Sequence, residues 1–174
     1  CIRDSDNPVS FLSVDSSFGH CLELNSLSKS HNMAGWRVGM VVGSKNNIDT
    51  ILKVKSNIDS GMYYGIQKGA IEALGLNSSW YMSMNKIYKE RREIVYKICD
   101  KLGLTYDKNS TGMFVWAKIN SLNTSSIEFV DNLLYSKEIF ITPGSIFGTN
   151  GEGYVRLSLC LNQDKLNEAL NKLL

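Results

Sequence analysis

The chain has little of what would mark a linker, a metal centre or a membrane anchor. Two prolines in 174 residues leave no Pro-rich hinge, and no repeat or low-complexity segment is visible. There are two histidines, His20 and His31, both near the N-terminal end. The four cysteines, Cys1, Cys21, Cys99 and Cys160, are scattered with no Cys-x-x-Cys spacing. Such a pattern argues for reduced thiols packed as small hydrophobes and against zinc or any other metal. A net charge of only +2 gives no footprint for nucleic acid or for an anionic membrane surface. The longest apolar runs, such as residues 38–42, fall far short of the ~20 residues that span a bilayer. No basic-then-apolar leader opens the chain, so a cytoplasmic location is expected.

What is present reads as an α/β chain that is 43% hydrophobic, enough for a sizeable core. Residues 1–19 mix Asp, Ser, Asn and Pro around a short apolar stretch, which reads as irregular with a short helix or strand. Residues 21–25 alternate as a strand running into a loop, and residues 38–42 read as a second, buried strand. Ser44 is an expected N-cap for a helix to about residue 57. A second helix is expected over 64–74, stopped by Gly75, and a long third one over 80–102. The mixed charge run at 89–93 on that helix reads as a solvated face. Beyond Gly103 the texture shortens to a strand at 113–119, a helix from Ser125 or Ser126, strands at 138–142 and 154–161, and a closing helix.

The chemistry concentrates in two stretches. In the first, Ser26-Leu27-Ser28-Lys29 is followed by Gly35-Trp36-Arg37-Val38-Gly39, with the arginine eight residues after the lysine. A lysine in a confined, partly dry site loses its proton more readily, and its neutral amine can form a Schiff base. Neighbouring hydroxyls and a guanidinium suit a phosphate. An aldehyde cofactor carrying a phosphate satisfies both halves, and pyridoxal phosphate is that molecule. Gly35 and Gly39 suggest tight backbone on either side of Arg37, and Trp36 between them reads as packing. For a lone lysine, a solvated loop would be the simpler reading.

In the second stretch, Pro143-Gly144-Ser145-Ile146-Phe147-Gly148 precedes a strand carrying Arg156. An arginine with apolar neighbours on a strand needs an anionic partner, because an unpaired buried guanidinium is costly. Taken alone, an intramolecular salt bridge is the commoner reason for such a residue. Gly112, before the strand at 113–119, reads by itself as turn chemistry.

Together the two stretches resemble the cofactor-lysine signature and the closing motif of the class I/II aminotransferases, fold-type-I enzymes that use pyridoxal phosphate. The resemblance covers nearly all of the chain, in the family's order. It implies the end of the large fold-type-I cofactor-binding domain over residues 1–94 and the small C-terminal α/β domain over 95–174. It implies Lys29 as the catalytic amine and Ser26, Ser28 and Arg37 as phosphate ligands. Arg156 would grip the substrate carboxylate, and Gly112 would keep backbone close to substrate. Amino acid and 2-oxo acid substrates and a homodimer are implied as well, with Tyr63 and Tyr64 near the neighbouring subunit's site or, more simply, packing.

The family's pyridine-nitrogen acid, ring-stacking aromatic, N-terminal phosphate loop and ring-hydroxyl tyrosine have no match here. Asp4, Asp6 and Asp15 are acidic but stand in no matching context. Without the pyridinium partner, these 174 residues alone are expected to be catalytically incompetent. A same-fold C–S lyase, decarboxylase or synthase, or a non-catalytic α/β interaction module, are the rival readings.

Overall fold

A computed structural model describes residues 10–14, 19–121 and 124–174. The chain divides into two compact units, residues 1–80 and 81–174. Of the irregular N-terminal stretch, Phe11–Ser13 forms one 3-10 turn, and Asp4, Asp6 and Asp15 lie outside the described residues.

In the first unit, β1 (Leu22–Ser26) and β2 (Gly39–Gly43) pair antiparallel, with Ser26 opposite Gly39. β1 does not run into a loop as expected. It continues into one helical turn, α1 (Leu27–Ser30), because Ser26 stays extended and its Oγ accepts the Ser28 N–H at 3.2 Å. Nor is β2 buried: Val41 and Val42 are 38% and 43% exposed. This sheet has two strands among the described residues, which leaves little to cover both faces of an apolar run.

Ser44 caps α2 (Lys45–Lys55) as expected, its Oγ accepting the Asn47 N–H, and α3 (Tyr64–Leu74) stops at Gly75. The core of the unit is Leu27, Met33, Val38 and Ala70, with Met40, Ile66 and Ala73 packed against it. Leu27 and Val38 bracket the lysine loop in sequence, so burying them on α3 pins both ends of that loop.

The second unit holds most of α4 (Ser78–Lys101). The charge run on it is not a wholly solvated face. Arg92 is 5% exposed and lies on the side that buries Tyr88, Val95, Tyr96 and Cys99, as spacings of three and four residues require. Its guanidinium donates to the carbonyls of Ser110 and Gly112, and Arg91 donates to Leu159 O at 3.1 Å.

A four-stranded antiparallel sheet follows, in the order β3 (Leu104–Tyr106), β4 (Phe114–Ile119), β6 (Tyr154–Ser158), β5 (Thr142–Pro143). One face buries Val115, Ala117, Ile119, Val155 and Leu157; the other carries Phe114, Trp116, Tyr154 and Arg156. α5 (Ser126–Lys137) and α6 (Gln163–Lys172) complete the unit, capped by Ser125 and Asn162.

Two expectations change in this unit. β3 adds a strand ahead of the expected series. The strand expected at 138–142 shortens to two residues, because Glu138 takes a left-handed conformation (φ 57°) to end α5. Ile139 and Ile141 are nonetheless buried. The other expected strand, 154–161, ends at Ser158.

Among the described residues no helix is long and apolar enough to cross a membrane, and no group of three or more His, Cys, Asp or Glu among them could hold a metal. Cys21 and Cys99 are buried cysteines in no disulfide, as expected, whereas Cys160 is exposed. Burial, with Asp100 adding to it, pushes the Cys99 thiol up to about 12. A maleimide reagent near neutral pH is therefore expected to label Cys160 in the folded chain. Labelling of Cys21 and Cys99 should appear only on unfolding, which peptide mass spectrometry can read; prompt labelling of Cys99 would contradict this core.

Candidate active site

The lysine loop is anchored by backbone at both ends. The Leu27 N–H donates to Val38 O at 3.2 Å, and the N–H groups of His31 and Met33 both donate to Leu27 O. Leu27, on α1, is 1% exposed, and its neighbours Ser28 and Lys29 face outward from that anchor. Lys29 is exposed here, so the expected confinement is not provided by the described residues. His31 stacks on Trp80 with 5.7 Å between ring centroids, and its partial burial holds it below the usual histidine range.

Arg37 closes the 3-10 turn Ala34–Trp36 with φ 53° and ψ 46°, the left-handed region that β-carbon-bearing residues avoid. The expected tightness at its two glycines divides. A Cβ on Gly39 would stand 2.7 Å from Asn25 O, whereas one on Gly35 would meet nothing within 4 Å. The strain falls on Arg37 itself, an unusual place to keep a large side chain. Trp36 is half-exposed and rests on α3, where a Cβ on Gly69 would stand 2.5 Å from its ring. That contact explains a glycine in mid-helix despite its cost in helix propensity.

Arg37 donates from Nη1 to Ala34 O at 3.2 Å. Neither Lys29 nor Arg37 has a carboxylate partner among the described residues. Two hydroxyl-bearing residues, an amine and a guanidinium are thus presented from one anchored loop, a donor set that fits the phosphate and aldehyde of pyridoxal phosphate.

In the second unit, Arg156 lies opposite both Trp116 on β4 and Thr142 on β5. No salt bridge holds it among the described residues; two rings do. Its Cζ is 4.2 Å from the Phe114 centroid and 4.5 Å from that of Phe147. Phe114 comes from β4 and Phe147 from the 3-10 turn Gly144–Phe147 that follows β5, one from each flank of β6. Trp116 meets Phe147 edge-on and stacks on Tyr154.

Two contacts hold this loop. A Cβ on Gly144 would stand 2.7 Å from Tyr154 O and closer still to Gly151 O, so the turn can seat only as glycine. Glu152 accepts the Ser126 N–H at 2.6 Å and the Ser126 hydroxyl at 3.0 Å, tying the loop to the start of α5. Gly112 has φ 96°, and its carbonyl receives Arg92 at 2.6 Å, so its turn is also held from α4.

The structure gathers Ser26, Ser28, Lys29 and Arg37 on the first unit, and Gly112 and Arg156 on the second. Sequence reading passed over Phe114 as strand filling and Arg92 as surface. The alternation along β4 marks Phe114 as outward-facing, but its contact with Arg156 arises only from strand pairing.

Arg37→Ala keeps the left-handed penalty and Arg37→Gly removes it. Denaturant unfolding should therefore find Gly the more stable of the two by about 1 kcal/mol. Equal stabilities would mean that this backbone is not strained. For Glu152, hydrogen bonds from Ser126 hold the carboxyl below its ordinary 4.5. A carboxyl lowered by folding stabilises the fold above its unfolded value, and that contribution is lost as pH falls through the folded value. The unfolding midpoint of Glu152→Gln should thus fall less than that of the parent chain between about pH 6 and pH 3. Parallel curves would refute the tether.

Comparisons with known proteins bear on the whole chain. The family model described as Aminotransferase class I and II matches residues 4–173. The LL-diaminopimelate aminotransferase of Nitratidesulfovibrio vulgaris strain Miyazaki F is 38% identical over 170 residues, 98% of this chain and 44% of that protein. An aromatic aminotransferase structure from Pyrococcus horikoshii superposes with a TM-score of 0.85 at 31% identity, over 98% of this chain and 46% of that one. An aminotransferase structure from Staphylococcus aureus gives 0.84 at 34% identity, over 98% and 45%. The chain therefore spans less than half the length of the relatives it matches. With the α/β fold and the lysine and arginine motifs in place, the chain belongs to the class I and II aminotransferase family.

Proposed function

We propose that this chain is the C-terminal part of a pyridoxal-phosphate-dependent aminotransferase that moves an amino group between an amino acid and a 2-oxo acid. Residues 1–94 would close its large cofactor-binding domain and 95–174 form its small domain. The observation that carries the reading is that Lys29, Arg37 and Arg156 have no carboxylate partner among the described residues. A family member keeping three cations unneutralised in its two signature stretches is furnished for anionic ligands.

Pyridoxal phosphate, when bound, supplies an electrophilic aldehyde carbon and a conjugated ring that takes up the electron pair released at the substrate α-carbon. Ser26, Ser28 and Arg37 would hold its phosphate, the hydroxyls as directional donors and the guanidinium as a paired one. Lys29 carries the amine that takes the proton from the substrate α-carbon and later returns one, as general base and then general acid. Arg156 would fix the α-carboxylate and so orient the C–H bond that breaks. Gly112 would hold backbone close to the substrate, with Arg92 on its carbonyl.

The relatives' names differ in their substrates, so what supports the reading is the shared reaction class. A homodimer, a cytoplasmic location and catalytic incompetence of this chain by itself belong to the same proposal. A same-fold lyase, decarboxylase or synthase would use these same side chains, and amine transfer that depends on an added 2-oxo acid separates the reactions.

The test is an absorbance spectrum of the full-length protein with added pyridoxal phosphate, beside Lys29→Ala. A visible band from covalent attachment should appear in the first and be absent in the second. No band in either protein would overturn the catalytic reading. A band unchanged by the substitution would remove Lys29 from its role.

A further inference from the structure

The guanidinium of Arg156 is flanked by two aromatic rings, those of Phe114 and Phe147. We propose that Phe114 and Phe147 are positioning residues that make Arg156 selective for planar carboxylates over tetrahedral oxyanions. The proposal deepens the reading of Arg156 as a carboxylate receptor and rests on it.

The geometry carries the inference in three steps. First, all the N–H donors of a guanidinium lie in its own plane, so the best partner offers two oxygens in that plane, as a carboxylate does. Second, the rings of Phe114 and Phe147 stand 4.2 and 4.5 Å from Cζ, brought from the two flanks of β6. An aromatic face carries negative potential, which attracts the guanidinium and repels an anion's oxygens. Third, a carboxylate binding edge-on keeps both its oxygens in the donor plane. A sulfonate or phosphate must direct at least one oxygen out of that plane, towards a ring.

The rings thus confine Arg156 and charge a tetrahedral guest for its extra oxygens. The surroundings fix the clamp in place. Phe147 is braced edge-on by Trp116 at 5.7 Å, and the turn that presents it is seated by Gly144. Arg37 offers a contrast within the same chain: it is exposed, its one recorded hydrogen bond goes to Ala34 O, and no ring lies over it among the described residues.

The experiment uses the full-length protein and needs no added cofactor. Phenylglyoxal modifies exposed arginines, and peptide mass spectrometry reports its extent at Arg156 and Arg37 separately. Protection is titrated with acetate and with methanesulfonate, two anions of equal charge that differ in being planar or tetrahedral. At Arg156, acetate should protect at roughly tenfold lower concentration than methanesulfonate, the ratio expected for about one cation–π contact's worth of discrimination. At Arg37 the ratio should be smaller, reflecting only the greater basicity of acetate.

Phe147→Leu should bring the Arg156 ratio close to that at Arg37, while Phe147→Tyr, which restores the ring, should keep it. A ring that merely supported the fold would change both anions equally and leave the ratio alone. A ratio at Arg156 no greater than that at Arg37 in the parent chain, or a ratio unchanged in Phe147→Leu with its circular dichroism intact, would overturn the proposal. If Phe147→Leu fails to fold, Phe114→Leu is read in the same way. Loss of the visible band in the spectroscopic test above would count against the enzyme reading and leave this ratio untouched, so the two failures are distinguishable.

Discussion

At residues 144 and 151 two stretches of backbone lie so close that neither can carry a side chain. The placement of Phe147 beside Arg156 depends on that approach. It folds the segment after β5 back over the sheet and delivers Phe147 to within 4.5 Å of the Arg156 guanidinium. A methyl group at either glycine would force backbone atoms apart, and no rotamer change could relieve the overlap. Glu152 then holds the far end of the loop through two hydrogen bonds to Ser126. The arginine is thereby fixed without a carboxylate, and its in-plane donors remain open to an anion from outside.

The first unit solves a similar problem by burying the residues next to the chemical ones. Leu27 and Val38 go into a small core on α3, and the backbone bond between them leaves Ser28, Lys29 and Arg37 outside it. The left-handed backbone at Arg37 is the cost of turning the chain immediately before β2. Trp36 steadies that turn by lying over Gly69, so an unfavourable residue in one helix serves a contact needed by the loop. Local propensity is given up at both points, and both serve the segment that carries the candidate cofactor ligands.

A few exposed lysines pair locally with carboxylates. Lys45 with Asp49 and Lys55 with Asp59 are exposed pairs at a spacing of four residues, worth little to stability. Lys29, Arg37 and Arg156 have no such neighbour among the described residues.

Several features could be read directly from the residues. The helix at 64–74, the cap at Ser44 and a cap at Ser125 or Ser126 follow from local hydrogen bonding and periodicity, which act over a few residues. The lysine and arginine stretches could be read because their chemistry needs particular residue types at particular spacings. Other features could not. One helical turn replaced a loop after Ser26, an expected strand shrank to Thr142–Pro143, and Arg92 was drawn from an apparent surface run into the interior. At Ser26 and Glu138 a local cap overrode the apparent pattern, whereas Arg92 is held by carbonyls distant in sequence, those of Ser110 and Gly112. By itself the sequence determined which groups were available for catalysis and binding, because side-chain chemistry is local. Only the tertiary structure decided that Arg156 would sit between Phe114 and Phe147, since 41 residues of chain separate Phe114 from Arg156 and strand pairing alone brings them together.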